Sequence, residues 1–135
     1  MNCAALLDDV NALASNRSGA IVPVTQVDAR VFVGPVAAPG GPCPVCARHY
    51  HLDRDPNWNI VVERAPLAAD TEAVSLAAGA AAAVLVARKL AGVPDPPGVG
   101  TGPVGPGHLV TVDPYGQVPV RAETLPPHPD CPSCY

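Results

Sequence analysis

At 135 residues the chain is long enough for one modest domain with a core of its own. Its apolar content is largely alanine and valine, set among 18 prolines and 12 glycines with one Phe, one Trp and three Tyr, so that core is thin and calls for a staple. A net charge of −4, with only 8 Lys and Arg and no cluster among them, speaks against a nucleic-acid-binding surface.

Residues 2–15 are expected to form a short helix, with Leu6, Leu7, Val10 and Leu13 at helical spacing. Asp8 and Asp9 stand where a secretory signal needs basic residues, and the apolar runs there are too short for one. The longest apolar stretch, residues 74–87, falls short of the ~20 residues that cross a bilayer. A cytoplasmic protein with no membrane partner is therefore expected. In a reducing compartment, paired cysteines are metal ligands or catalytic thiols more often than disulfides.

Residues 21–26 and 31–36 are β-branched runs on either side of Asp28 and Ala29, the pattern of two neighbouring strands. The Pro/Gly-rich turn PVAAPGGPCPVC then delivers a first cysteine pair. Residues 48–54 make one or two helical turns, stopped at Asp55–Pro56 because the residue before a proline leaves the α region. The best helix of the chain runs from Thr71 to Gly92, with Asp70 or Thr71 as its cap and Glu72 in its first turn. Arg88 and Lys89 lie at its negative end. Its middle is apolar nearly all round, which predicts burial on several sides. Residues 93–107 form an internal Pro/Gly-rich loop. Residues 108–112 and 117–120 follow as short strands around the turn 113–116, and the tail LPPHPDCPSCY is extended. No internal repeat is visible.

Two C-x-x-C pairs carry the chemistry: Cys43 with Cys46, and Cys131 with Cys134. In each, the backbone can turn over so that both sulfurs reach one ion, and Pro44 and Pro132 occupy the same place in the two pairs. Together they supply the four soft ligands that tetrahedral zinc takes at about 2.3 Å. A redox pair is the alternative, and it requires a helix N-terminus after a strand. Four thiolates leave no open position for water or substrate, so the site reads as structural Zn2+ with backbone N–H groups or Arg48 near its negative charge. The ion would clip the tail to the first half of the chain and close a large loop.

Other reactive residues read more plainly. His49 and His51 are solvated side chains beside a metal knuckle. His128 can hydrogen-bond a ligand sulfur, and His108 is structural. Cys3 is incidental, Asp53, Arg54 and Asp55 form a solvated charged turn, and Trp58 is a packing anchor. The segment GVGTGPVGPG lacks the strand, helix and lysine of a nucleotide loop. No residue is assigned a catalytic or cofactor-binding role.

Read as a series, VFVGPVAAPGGPCPVC, the element Asp55-Pro56-Asn57-Trp58, the Ala-rich helix, VDPYGQV and LPPHPDCPSC resemble one family. It is the C-terminal half of the ThiF-like proteins of azole-peptide biosynthesis, the partner or leader-peptide-binding components of YcaO-type cyclodehydratases in thiazole/oxazole-modified microcin pathways. The likeness covers nearly all of residues 5–135. It implies an α/β fold, a partial ThiF-like domain with short strands, one long Ala-rich helix and structural zinc on Cys43, Cys46, Cys131 and Cys134. Residues 1–135 would be a single zinc-stapled half domain. Family members begin with a winged-helix module that pairs with the leader peptide, followed by a Rossmann-like nucleotide half, and this chain starts past both. ATP binding and leader recognition are therefore not carried over.

The expected function is a non-catalytic scaffold in the biosynthesis of azol(in)e-containing ribosomal peptides. Its partners would be a YcaO-type cyclodehydratase, the precursor peptide, a separate N-terminal half or a second copy. An adenylating enzyme is the alternative, followed by a zinc-ribbon nucleic-acid module, which the acidic balance and the scarcity of aromatics disfavour.

Overall fold

In the structure, a computed structural model, residues 19–64 and 72–134 are described. The helix expected over 2–15, Cys3 and the caps Asp70 and Thr71 lie outside them. Val24–Val27 (β1) and Arg30–Val33 (β2) form a hairpin whose turn carries Asp28 at φ 53°, a left-handed conformation that Asp tolerates. His108–Val112 (β3) pairs antiparallel with β2, and Val120–Thr124 (β4) with β3, giving a four-stranded antiparallel sheet in the order β1-β2-β3-β4.

The period of two along the central strands divides the interior into two cores. Val31 and Val33 of β2 and Val110 and Val112 of β3 point to one face, where they join Val36 and Val86. Phe32 and Leu109 point to the other and meet Leu125, with Tyr50 and Trp58 packed against them. Among the described residues, three helices cover these faces. Pro44–Arg54 (α1) and Trp58–Arg64 (α2) lie on the Phe32 side, and Ala73–Leu90 (α3) on the valine side.

Several expectations are corrected. The helix predicted over 48–54 starts four residues earlier, because Pro44 at the first helical position is pre-set for helical φ. α2 has no counterpart among the elements expected from the sequence. The last strand begins at Val120 rather than Gln117: Pro119, which lacks an N–H, instead offers its carbonyl to Asp113 N at 2.8 Å and closes the loop. Glu72 is itself the N-cap of α3, accepting from Val74 N at 2.9 Å and Ser75 N at 2.8 Å. Those bonds pull its carboxyl down to about 2.

α3 is also not buried on several sides. It touches the sheet along Ser75, Gly79 and Val86, while Val74, Leu76, Val84 and Leu85 are each more than half exposed. One sheet can cover only one stripe of a helix. Its 18 residues are long and apolar enough to cross a bilayer by length and composition, so the element outruns the apolar run read from sequence. Lys89 Nζ, at its end, bonds Gly102 O at 2.7 Å and lies 3.5 Å from Asp95, which ties down the segment leading to β3.

Candidate metal centre

After β2 the chain folds through Gly34, Pro35 and the 40–42 turn, where a Cβ on Gly41 would lie 2.5 Å from Pro106 Cβ. That close approach, with Pro42 fully buried, fixes where Cys43 sits. Cys43 is the N-cap of α1, extended at φ −86° and ψ 170°, and Cys46 lies one turn inside the helix with its N–H on Cys43 O at 3.0 Å. At the other end of the chain Cys134 N donates to Cys131 O at 3.3 Å, and Cys131 N to His128 O at 3.0 Å. The two pairs thus share one local turn, although only the first opens a helix.

The fold brings all four sulfurs together. Cys43 Sγ is 3.7 Å from Cys46 Sγ and 3.5 Å from Cys131 Sγ, and Cys46 Sγ is 3.4 Å from Cys134 Sγ. All four lie within 4.8 Å of one another, and all are free cysteines. Around a tetrahedral ion with bonds of about 2.3 Å, neighbouring sulfurs stand ~3.8 Å apart, so the donor set fits such an ion with little adjustment. Cys46 and Cys131 are buried, and Cys43 and Cys134 partly so. Burial pushes the Cys43 thiol up, against the lowering effect of the Cys46 N–H. A cation at the centre would reverse that balance, since the ligating form is the thiolate.

The surroundings differ from expectation. His128 is 3% exposed, but its contact with sulfur runs through its backbone: the N–H donates to Cys46 Sγ at 3.3 Å. Its ring Nδ1 accepts Asp130 N at 3.1 Å, so Nε2 carries the proton and donates to Asp53 Oδ2 at 2.9 Å. Asp53 is therefore no free surface charge; it locks the tail onto α1. His49 stacks on the His128 ring at 5.0 Å, and Tyr50 meets it edge-on at 4.8 Å. Arg48, expected beside the sulfurs, instead donates Nε to Asn59 Oδ1 at 3.0 Å and joins α1 to α2.

His51 sits far from a solvated role. Its ring stacks on Trp58 at 4.1 Å and meets Phe32 edge-on at 4.8 Å, and burial, with a smaller push from Arg54, lowers its pKa to about 4. Trp58 is the anchor expected, packed edge-on to Phe32. Arg54 and Asp55 also have fixed roles: Arg54 pairs with Glu123 at 2.7 Å, and Asp55 Oδ1 accepts Asn57 N at 2.9 Å. His108 opens β3, where its carbonyl accepts Val36 N and burial holds its ring below the ordinary range.

No described protein family and no curated protein matches the sequence. Solved structures do match the fold. A heterocyclase in complex with substrate and cofactor aligns with a TM-score of 0.67 at 20% identity, covering 96% of this chain and 19% of its own. E. coli MccB with AMPCPP and selenomethionine MccA aligns at 0.59 and 16% identity, and MccB with ATP at 0.58 and 15%; each covers 96% of this chain and 36% of MccB. This chain thus has the fold of part of these proteins, and spans about a fifth of the heterocyclase and about a third of MccB.

Proposed function

We propose that this chain is a non-catalytic, zinc-stapled accessory module of azol(in)e-forming ribosomal-peptide biosynthesis. In this reading it works in the cytoplasm beside a YcaO-type cyclodehydratase or presents the precursor peptide to it. The observation that carries the reading is the closed four-sulfur cluster within a fold shared with a heterocyclase over 96% of the chain. Cys43, Cys46, Cys131 and Cys134 would hold zinc, and the ion's contribution is a cross-link, since four thiolates fill its tetrahedron. The chemistry then belongs to another subunit, and this chain binds and orients.

MccB's complexes with ATP and AMPCPP raise an adenylating role as the second reading. Here the Gly-rich segment 98–107 runs from the end of α3 into β3, so no helix opens after it to offer its N-terminal amides to a phosphate. That geometry disfavours adenylation, and ATP–pyrophosphate exchange by the purified chain would restore it.

The scaffold reading is tested by purifying the reduced chain, measuring its metal content, and assaying a YcaO-type cyclodehydratase on its precursor peptide with and without it. One zinc per chain, co-purification with the cyclodehydratase and faster ring formation are expected. A chain that changes neither peptide affinity nor ring formation ends the proposal.

A further inference from the structure

A groove runs between α1–α2 and the part of the sheet those helices leave open. It consists of two adjoining hollows of about 390 and 430 Å³, each within the ~300–1,000 Å³ typical of ligand sites. Phe32, Trp58, Arg30 and Asp113 line both, so the two form one elongated trough with an aromatic floor. Sheet and helix build that floor jointly: Phe32 rises from β2, and Trp58 carries His51 stacked on its ring.

The charges around it are mostly spoken for. Arg30 pairs with Asp113 at 3.1 Å, Arg54 with Glu123 at 2.7 Å, and Asp55 accepts the Asn57 amide. Arg121 remains, exposed and with no ion pair among the described residues. In the sheet register Phe32 stands opposite Thr111, and Thr111 opposite Arg121, so the three side chains share a face. With partners about 5 Å apart across each pair, Arg121 lies ~10 Å from the aromatic floor. A chain in the extended polyproline II form rises about 3.1 Å per residue with about three residues per turn, so side chains three positions apart share a face and span that gap. At the opposite end Asp28 lines the trough, which disfavours a uniformly acidic occupant and any polyanion.

We propose that this trough docks an extended segment of the precursor peptide, with a large apolar or aromatic side chain over Phe32 and Trp58 and a carboxylate about three residues further on paired with Arg121. The proposal rests on the reading that this chain presents a peptide. Its shape argument is independent of the metal: the trough is long, open and aromatic, and Arg121 at one end has no ion pair among the described residues. Among the described residues β4, the neighbouring strand, is a sheet edge.

Trp58 is the chain's one tryptophan, so its emission reports occupancy directly. The probe is a capped hexapeptide of serines carrying one phenylalanine and, three positions on, one glutamate. Titration into the full chain is expected to shift Trp58 emission saturably. Arg121→Glu should weaken binding at least tenfold, Arg121→Lys should retain most of it, and replacing the peptide's glutamate by lysine should match the loss. Thermal melts of both variants verify folding, which an exposed, unpaired position should preserve. No saturable change, equal affinity for the lysine peptide, or an unaffected Arg121→Glu would overturn the docking site. If fluorescently labelled precursor peptide still binds by anisotropy in those cases, the trough is refuted while the scaffold reading survives; if precursor binding is absent too, both fall.

Discussion

Gly79 marks the point where α3 crosses β2. Alanine is ordinarily the better helix former by about 1 kcal/mol. Here a Cβ would lie 2.6 Å from Val31 Cγ1 and 2.9 Å from its Cβ, which the packed sheet cannot yield without moving. Gly79→Ala is therefore expected to destabilise by about 1–3 kcal/mol in urea unfolding. A more stable variant would mean that the helix sits looser on the sheet than described. His51 and Glu72 make a pair of acid predictions. Burial lowers His51 to about 4, so the unfolded chain takes up a proton that the folded one refuses as pH drops from 6.5. Its share of stability is complete above pH 6.5 and is lost as pH falls through about 4. Glu72, lowered to about 2 by the Val74 and Ser75 amides, contributes stability that is complete above pH 4.5 and is lost through about 2. Relative to the parent chain, His51→Phe should flatten the stability profile between pH 6.5 and 4, and Glu72→Gln between 4.5 and 2. Parallel curves for parent and variants would remove both assignments.

α3 shows why an apolar helix is not always a core helix. Only its stripe through Ser75, Gly79 and Val86 is buried, and Leu85 is 58% exposed. Leu85→Glu should change stability by less than about 0.5 kcal/mol and raise solubility, read by urea midpoint and by the concentration at which the chain precipitates. A loss of several kcal/mol would place a covering element over that face. The mismatch between sequence pattern and burial has the same root. Hydrophobic periodicity reports which residues avoid water, but the number of neighbouring elements depends on tertiary arrangement that no local window holds. Local signals succeed where the chemistry is local: the β1–β2 hairpin around Asp28, the long Ala-rich helix α3, and the tight turn within each C-x-x-C pair. They fail at β4, whose run VRAET lacks alternation because its residues sit on a largely exposed edge. α2 is hidden for a similar reason, since Ile60, Val61 and Val62 read as strand formers until Trp58 anchors them against the sheet. The Asp53–His128 bond joins residues 75 apart in sequence and has no local signature at all.

What unites these parts is the link between the middle of the chain and its tail. Cys43 and Cys131 are 88 positions apart, and Cys46 and Cys134 equally so. Treated as a cross-link closing a loop of that size, an ion there removes about 4–5 kcal/mol of unfolded-chain entropy as an upper bound. Stripping it with a chelator is expected to lower Tm on the order of 10 °C, with recovery on adding zinc, and Cys131→Ser should reproduce the loss without recovery. An unchanged Tm after removal of the metal would show that the sheet and helices hold alone. The exposed segment between α3 and β3 sharpens the point. Severed there, the chain becomes two pieces: one carries Cys43 and Cys46 with β1 and β2, the other Cys131 and Cys134 with β3 and β4. Each piece holds half of a ligand set, so neither grips an ion firmly by itself. Produced separately and mixed, the two should reassemble in proportion to added zinc and come apart in chelator, which would make this small protein a metal-gated split pair.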